Sequence, residues 1–521
     1  MPKLQGIREM VDKMTDLERR ALISQYLDQY DENHPYHELV DQHNILMDVM
    51  AATRNKRGKP HIQGVIGYEY ENVFQQNDRN KLLKTIRNVQ LILASDSFYP
   101  PKHKPVTKWD TTKNKPREFV RPDYRDESIV HHAMIRMIMP QLTKGMYHYT
   151  CASIPHRGVH YLHRRLSKII SNDPKNTKYV LKLDIRNFFG SIPHRNLKKC
   201  IKRIVKHDDM RKLFYRVIES TKYGVPLGFF TSQWFANYYL QPLDHYIKER
   251  ILVDCGCNVE RTGRYGASYY FRYMDDMVIF GPNKKELHKM KDKIIQTLEE
   301  DYGLKVRPDW QVFRFDHIDK KTGKRKGRPL DYVGYQFFHD KTIIRKSTYK
   351  RIKRLIKHLR KKDITHVTFK EATQMLSYYG FIHWSDAKGL YTKLLKPYIK
   401  LKDLKKIVKK EYKARAKAIK EKRELLKKGI DPKEAKKKAR KEKLNELKKL
   451  EKHKHQKKYN PNAKGKNSYA KKSNPKYKDY SKKNHTSSKP KSNQNSRNGK
   501  MKTRKYQQSQ RKHPPKRPTN K

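Results

Sequence analysis

The chain has 521 residues, of which 122 are Lys or Arg and 53 are Asp or Glu, so its formal net charge is +69. An excess of this size predicts a polyanionic partner, and nucleic acid is the first candidate. Charge alone does not separate an enzyme from a basic scaffold protein.

Three other classes are disfavoured by the sequence. The cysteines are Cys151, Cys200, Cys255 and Cys257. No second Cys or His pair lies near the last two, so we expect reduced thiols and no zinc site. The N-terminal sequence lacks the apolar segment of a signal peptide, and no apolar run approaches the roughly 18–20 residues of a membrane span. We therefore expect a soluble cytoplasmic protein with no membrane partner.

Apolar residues recur at helical spacing in the N-terminal region, which predicts helices. The first helix lies in MVDKMTDLERRALISQYL, residues 10–27. A second helix is predicted from Leu39, Val40, Ile45, Leu46 and Val49. Residues 95–345 mix short strands and helices, and residues 348–400 return to helices rich in Lys and Arg.

The segment KYVLKLDIRNFFGSIPH, residues 178–194, contains a carboxylate at the end of a predicted strand. The alternation places Leu181, Leu183 and Ile185 on one face, and Val180, Lys182 and Asp184 on the other. Asp184 is therefore directed out of the sheet beside the FF turn. A single Asp in this position is more often structural than catalytic.

The segment YYFRYMDDMVIF, residues 269–280, predicts a tight β-hairpin around Met274, Asp275 and Asp276. Adjacent carboxylates repel each other, and a structural turn would usually contain Asn-Gly or Asp-Gly. A bound cation would neutralise the pair. Phosphoryl transfer with two divalent ions requires several hard oxygen ligands, which three converging carboxylates can supply.

Tyr273–Asp276, the upstream Asp184 and Phe189, and GVPLGFFTSQWFANYYLQPLDHYI at residues 224–247 together resemble reverse transcriptases. The Tyr-x-Asp-Asp box alone arises by chance, but the ordered set rarely does. The resemblance implies an α+β right-hand polymerase fold with fingers, an antiparallel-sheet palm and a helical thumb. It also implies an RNA-directed DNA polymerase that uses an RNA template, a DNA or RNA primer, dNTPs and two Mg²⁺ ions, with Mn²⁺ as a substitute.

The resemblance assigns roles to individual residues of this sequence. Asp184, Asp275 and Asp276 would be catalytic and would hold the metals, with Ile185 beside them. Phe189, Leu227 and Gly228 would contact the incoming nucleotide, with Phe189 excluding a 2′-hydroxyl. Ser232, Gln233 and Tyr273 would contact the template–primer. Leu240 and Leu243 are better explained as helix core.

Two flanking stretches fit the same family. KNKPREFVRPDYRDESIVHHAM, residues 113–134, resembles the fingers hairpin, in which Arg117 and Lys115 would bind the triphosphate. A solvated basic hairpin is the alternative for both. LDYVGYQF, residues 330–337, resembles the primer-grip hairpin, where Gly334 would allow close approach to the primer. Lys305 is either near the triphosphate or an ordinary surface lysine.

Composition and the resemblance together divide the chain. The predicted parts are an N-terminal helical segment with the start of the fingers at 1–95, fingers and palm at 96–345, a helical thumb at 346–400, a charged helical extension at 401–455 and a disordered basic tail at 456–521. Residues 401–521 contain 46 Lys and Arg against 10 Asp and Glu, a net charge of +36. The extension has the composition of exposed charged helices, and the tail has too few aliphatic residues to form a core.

The middle motif indicates a subtype. Most relatives have Pro-Gln-Gly-x-x-x-Ser-Pro, whereas this chain has Leu227 for Gln and Gln233 for the final Pro. This form is similar to the error-prone polymerases of diversity-generating retroelements, as are Tyr36, Ala51, residues 54–57 and residues 131–165. The resemblance implies a bacterial or prophage-encoded enzyme, with a small basic accessory protein as a further partner.

Three alternatives remain open at this stage. The long basic tail and the larger overall size depart from the diversity-generating group and leave open a phage-defence reverse transcriptase, such as the abortive-infection type. A group II intron-like reverse transcriptase is the second alternative. The third alternative is a catalytically idle RNA-binding protein that kept the fold, against which the intact Asp184, Asp275 and Asp276 argue.

Overall fold

The structure is a computed structural model. It describes residues 13–53, 76–110, 115–319 and 321–427, with isolated positions 10, 62, 442, 445, 446 and 448. The chain divides into two units, residues 1–438 and 439–521. The predicted disordered tail, most of residues 428–455 and residues 54–57 lie outside the described residues.

The described residues combine α-helices with short strands. The helices are α1 (Asp16–Leu27), α2 (Pro35–Val40), α3 (Gln42–Thr53), α4 (Gln76–Ala94), α5 (Ile129–Thr143), α6 (Val159–Asn172), α7 (Phe188–Ser191), α8 (His194–Ile204), α9 (Asp208–Ile218), α10 (Phe230–Tyr239), α11 (Gln241–Glu249), α12 (Ile251–Asp254), α13 (Val259–Thr262), α14 (Lys284–Glu300), α15 (Lys346–Leu359), α16 (Phe369–His383), α17 (Gly389–Thr392) and α18 (Leu401–Lys427). The strands are β1 (Val106–Asp110), β2 (Lys115–Phe119), β3 (Thr150–Cys151), β4 (Tyr179–Asp184), β5 (Tyr269–Tyr273), β6 (Asp276–Gly281), β7 (Gln311–Arg314), β8 (His317–Ile318), β9 (Arg325–Lys326), β10 (Leu330–Tyr332), β11 (Tyr335–Phe337) and β12 (Thr342–Ile344). A π-helical turn at Tyr124–Ser128 precedes α5, and a 3-10 turn at Ile364–His366 precedes α16.

The N-terminal region is helical, as predicted. A capping box begins α1, since Glu18 N donates to the Thr15 hydroxyl and the Glu18 carboxylate accepts from Thr15 N. The single second helix predicted from the apolar spacing is wrong. The backbone leaves helical geometry at Asp41, where ψ is 135°, so two helices, α2 and α3, share that apolar pattern.

A five-stranded sheet forms the centre of the fold. Its order is β3-β5-β6-β4-β7, and all neighbours are antiparallel except β3 and β5. Helices cover both faces. Leu181, Leu183, Ile185, Met277 and Ile279 belong to the main core, which includes residues of α5, α10 and α14. Val180, Phe271, Val278 and Phe280 pack with Leu162, Leu166 and Ile170 of α6.

A helical cluster follows the three-stranded sheet β10-β11-β12. Ile352, Ile356, Met375, Ile382 and Leu404 are among its buried residues. The helices predicted after residue 348 are therefore confirmed. The prediction of an exposed helix from residue 401 is wrong for the start of α18, because its apolar residues three and four apart form a stripe that packs on this cluster.

Two negative expectations concern cysteines and membranes. Cys151, Cys200, Cys255 and Cys257 are all free thiols. Within the described ranges, no helix has both the length and the apolar character needed to cross a bilayer.

Candidate active site

Asp184, Asp275 and Asp276 meet where β4 ends and the β5–β6 hairpin turns. Asp184 lies directly opposite Asp276 in the register of β4 and β6. Tyr273 pairs with Asp276, which leaves Met274 and Asp275 as the two-residue turn, and Met274 adopts φ +57°. Ile185 N donates to the Asp275 carbonyl oxygen at 3.2 Å. The backbone thus brings all three predicted carboxylates, and Ile185, to one edge of the sheet.

A lysine lies beside these carboxylates. Lys182 Nζ is 3.5 Å from Asp276 Oδ2, and it also donates to the Asp331 carbonyl oxygen at 2.9 Å. Lys182 was placed on the same strand face as Asp184 by the alternation, but nothing in the sequence pointed to its contact with Asp276. The contact gives Asp276 a positive neighbour from the chain itself.

The oxygen atoms of these three carboxylates are of the type that binds divalent cations. Carboxylate oxygens are the hard ligands that Mg²⁺ and Mn²⁺ prefer, and here they come from adjacent backbone positions. In the part of the chain that the structure describes, no three His, Cys, Asp or Glu side chains are already gathered around one point. Three like charges repel each other, so a bound ion would be needed to draw these side chains together.

A buried ion pair supports the hairpin turn. The Arg272 guanidinium is fully buried and donates to both carboxylate oxygens of Asp244, at 2.6 Å each. It also donates to the Met274 carbonyl oxygen at 3.1 Å and to Asn237 Oδ1 at 3.2 Å. Burial by itself would lower the pKa of Arg272, but the charge and hydrogen bonds of Asp244 outweigh it and raise that pKa. Sequence reasoning missed this pair, whose partners are 28 residues apart.

The segment after α14 lies along the end of β4. Arg307 N donates to the Asp184 carbonyl oxygen at 2.8 Å, and Arg186 N donates to the Lys305 carbonyl oxygen at 2.7 Å. The hydrogen bond to Asp309 raises the pKa of Arg307, and the negative charges of Asp184 and Asp275 add to that increase. Arg307 is therefore a cation of the site that the sequence did not single out. A triphosphate contact for Lys305 stays a prediction.

Leu227 and Gly228, two of the residues assigned to the nucleotide, lie on a loop that is hydrogen-bonded to Phe189 of α7. Val225 N donates to the Phe189 carbonyl oxygen at 2.7 Å, and Val120 N donates to the Leu227 carbonyl oxygen at 2.7 Å. Gly228 has φ +128°, and a Cβ there would lie 2.1 Å from the Val120 carbonyl oxygen. The loop is thus fixed between the short helix α7 and the chain leaving the β1–β2 hairpin. Phe189 and Leu227 are half-buried.

The remaining predicted residues are more dispersed. Arg117 is exposed on β2, opposite Lys108 in the hairpin, while the side chain of Lys115 lies outside the described residues. On α10, Ser232 is buried and Gln233 is half-buried. Tyr273 is half-buried, and burial raises its pKa. Leu240 and Leu243 are fully buried, so their assignment to the core is confirmed.

Gly334 lies in the hairpin that follows the active site. It has φ +94°, and a Cβ there would lie 2.9 Å from Phe381 Cε1, so the close neighbour in the structure is a ring of α16. The hydroxyl of Tyr332, two residues earlier, donates to the Asp276 carbonyl oxygen at 2.9 Å. This hydrogen bond attaches the hairpin to the carboxylates.

Comparison with known proteins gives a family match over the central region. Residues 108–337 match the sequence model of the family described as Reverse transcriptase (RNA-dependent DNA polymerase). The chain is 25% identical over 228 residues to Protein YkfC of Escherichia coli strain K12, a match that covers 38% of this chain and 59% of that protein. The chain therefore spans about three fifths of the length of that curated relative.

Solved telomerase structures give only weak alignments. One is telomerase from Candida albicans in complex with a TWJ fragment of telomeric RNA, with 12% identity, a TM-score of 0.35 and coverage of 62% of each chain. Another is apo telomerase from Candida tropicalis, with 10% identity, a TM-score of 0.34 and coverage of 74% of this chain and 89% of that one.

Proposed function

We propose that the protein is an RNA-directed DNA polymerase, and so a nucleotidyltransferase, that copies an RNA template into cDNA. Residues 108–337, which match the reverse transcriptase family, support this proposal. The observation that carries the proposal is the position of Asp184 directly opposite Asp276, with Asp275 in the adjoining turn, inside the matched range. The proposed ligands are an RNA template, a DNA or RNA primer and dNTPs.

We assign two Mg²⁺ ions, or Mn²⁺ in their place, to these three carboxylates and the backbone at Ile185. Asp184 and Asp275 would serve both ions, and Asp276 would serve one. Such ions, when bound, lower the pKa of the primer 3′-hydroxyl and stabilise the charge on the leaving pyrophosphate. The chain's own part is positioning: Arg272 holds the turn through the Met274 carbonyl oxygen.

Other residues would bind and orient the substrates. Arg117, with Lys115, would contact the triphosphate, because the guanidinium fork matches phosphate oxygens. Phe189 would block a ribose 2′-hydroxyl, and Gly228 would admit the templating pair. Ser232, Gln233, Tyr273 and Gly334 would contact the template–primer. We assign fingers and palm to residues 96–345 and the thumb to residues 346–400, whose basic faces would bind duplex phosphates by shape.

The first test replaces Asp275 and Asp276 together with Ala. We expect the variant to lose synthesis on a primed RNA with Mg²⁺ and dNTPs while its thermal unfolding stays cooperative, because both side chains are only half-buried and lie at the hairpin turn. The matched control is Asp208→Ala with Asp209→Ala, an adjacent pair at the start of α9, which should retain synthesis. Normal primer extension by the Asp275/Asp276 variant would overturn the assignment and favour an idle RNA-binding protein.

We further propose that the enzyme is the error-prone polymerase of a diversity-generating retroelement, acting with a small basic accessory protein. The support is Leu227, whose side chain has no hydrogen-bond donor or acceptor where most relatives have Gln. The Leu227 carbonyl oxygen accepts a hydrogen bond from Val120 N, which fixes the backbone from which this side chain extends. A nascent base pair held there by packing alone loses less when it is mismatched.

The subtype is tested by copying one defined RNA with the wild type and with Leu227→Gln, followed by cDNA sequencing. Restoring one hydrogen bond worth about 1–1.5 kcal/mol should reduce misincorporation roughly tenfold. From the resemblance we expect the wild-type errors to concentrate opposite template adenine. Accurate copying by the wild type would instead favour the phage-defence or group II intron-like alternatives.

A further inference from the structure

A basic two-stranded ribbon projects from the central sheet, and the proposed function does not use it. We define the basic ribbon as residues 316–328, which include β8 and β9 and contain six Lys or Arg and two Asp. It lies between β7 and β10, and none of the residues assigned above to the metals, nucleotide or template–primer belongs to it. A charged hairpin is often only a solvated surface. The contacts within the basic ribbon show which of its basic side chains remain available to bind a ligand.

The tip of the basic ribbon is held in a defined shape. Asp319 Oδ1 accepts hydrogen bonds from Lys321 N at 3.0 Å, from Thr322 N at 2.9 Å and from the Thr322 hydroxyl at 3.1 Å. Gly323 completes the turn with φ +64°. Main-chain turns fixed in this way lose little conformational entropy when a ligand binds.

The acidic residues near the basic ribbon are paired with its basic ones. Arg325 bridges the buried Asp316, at 2.5 Å, and Asp340, at 2.7 Å. Lys326 Nζ is 2.7 Å from Asp319 Oδ2, and this contact is the main cause of the low pKa of Asp319, about 2. Arg325 and Lys326 therefore serve the ribbon's own structure.

Two lysines at the tip, Lys321 and Lys324, do not form ion pairs of this kind among the described residues. The side chains of Lys321 and Lys324 are exposed, and no carboxylate among the described residues lies within ion-pair distance of either. They project from a rigid turn whose negative charges are already neutralised. This arrangement favours a ligand with repeated negative charges.

The position of the basic ribbon relates it to the carboxylates. β7 pairs with β4, with Arg314 opposite Tyr179, and the ribbon follows directly at Phe315, which forms a bridge with Arg328. Asp184 is at the other end of β4. That strand spans roughly 17 Å at about 3.3 Å per residue, which corresponds to about five base steps at roughly 3.4 Å each.

We propose that Lys321 and Lys324 form a second nucleic-acid contact, which binds backbone phosphates about five or more base steps from the reacting primer end, without sequence preference. The distance rests on the proposed function, because it assumes that the primer end lies at Asp184; the phosphate contact itself does not. Each lysine that neutralises a duplex phosphate contributes about 0.9 to the slope of log affinity against log salt.

The test compares full-length wild type with Lys321→Ala/Lys324→Ala. The control is Lys284→Ala/Lys285→Ala, two exposed lysines at the start of α14. Binding to RNA–DNA hairpins with stems of about four and about twelve base pairs is measured by fluorescence anisotropy, without Mg²⁺ or dNTPs. For the long stem, the slope of log affinity against log salt should be about 1.8 smaller in magnitude for the ribbon variant than for the wild type. The loss of affinity relative to the wild type should therefore be about twelvefold larger at 50 mM than at 200 mM salt.

The outcomes separate the possible readings. The short stem and the control variant should show no change. Equal affinity and slope for wild type and ribbon variant on the long stem would overturn the proposal, as would loss of polyglutamate binding with normal hairpin binding, which would indicate an acidic protein partner. If the wild type synthesises no cDNA but the ribbon variant still loses affinity for the long stem, the proposed function fails and the phosphate contact remains.

Discussion

Among single residues, Arg272 links the buried core to the turn of the candidate site. It joins Asp244 and Asn237, both buried, to the carbonyl oxygen of Met274 in the turn that carries the aspartates. Thr150 and Tyr270 hydroxyls donate to the same Asp244 carboxylate at 2.7 Å each. A buried ion pair is tolerated only when its remaining hydrogen bonds are satisfied, and here this condition is met by groups that also fix the turn.

Arg272→Met should lower the free energy of unfolding by about 3–5 kcal/mol, because Asp244 would remain buried and charged without its partner. Adding Asp244→Asn should recover much of that loss, since an amide oxygen can still accept from the Tyr270 hydroxyl. Synthesis should stay low in the double variant, because no donor reaches the Met274 carbonyl oxygen. Chemical denaturation and primer extension measure the two effects separately.

The double variant distinguishes a positioning role from a purely structural one. Recovery of stability and synthesis together would show that Arg272 matters only for folding. Recovery of stability alone, with a lower kcat and an unchanged dNTP KM, is the result expected if the hydrogen bond to the turn orients Asp275 and Asp276.

At the scale of elements, the loop at residues 225–228 connects parts of the fold that are far apart in the chain. One end is bonded to the Phe189 carbonyl oxygen, and the other is bonded to Val120, just after β2. The chain leaving the β1–β2 hairpin is therefore attached through this loop to α7, the short helix that follows β4. The close approach at Gly228 is what allows the attachment, because any side chain there would meet the Val120 carbonyl oxygen.

Gly228→Ala should displace the β1–β2 hairpin and raise the dNTP KM by about tenfold or more, equivalent to about 1.4 kcal/mol of lost binding. Gly256→Ala is the matched control, because Gly256 also has positive φ, +59°, but has open space around its Cβ position. The control should cost only the backbone strain of about 1–2 kcal/mol in stability. Steady-state kinetics and thermal unfolding compare the two, and equal dNTP KM values would show that the hairpin attachment does not affect nucleotide binding.

At the scale of the whole molecule, the positive charge is distributed unevenly along the sequence. Residues 456–521 contain 22 Lys and Arg against one Asp. Such a segment is expected to bind phosphates without sequence preference and to raise the local concentration of RNA. The match to the reverse transcriptase family ends at residue 337, well before this segment, so we expect the tail to assist binding and not the chemical step.

Deleting residues 456–521 should therefore weaken binding to the RNA template at moderate salt and flatten its salt dependence. The rate of synthesis at saturating template should change little, because the residues assigned to catalysis and substrate binding all lie between 115 and 334. Anisotropy over a salt series and single-turnover synthesis measure the two properties. Loss of the fold on deletion would show that the tail packs, contrary to its composition.

The sequence by itself determined where the three carboxylates lie along the chain's strands and turns. Asp275 and Asp276 are adjacent in a hairpin, and Asp184 ends a strand with regular alternation, so local geometry alone indicated where the carboxylates lie. Apolar spacing and charge predicted the ends and the buried faces of helices less well. The apolar spacing did not reveal the break at Asp41, and the charge of α18 concealed the apolar stripe that packs on α16.

Only the tertiary structure decided which side chains support the carboxylates. The contacts of Lys182 with Asp276, of Arg272 with Asp244 and of Tyr332 with the Asp276 carbonyl join residues that are 28 to 94 positions apart. The bond between Val120 and Leu227 spans 107 positions. Periodicity reports the face on which a residue lies, but not the element that packs against that face. Which partner a charged side chain meets therefore depends on how the sheet, the loop at 225–228 and the β10–β11 hairpin come together.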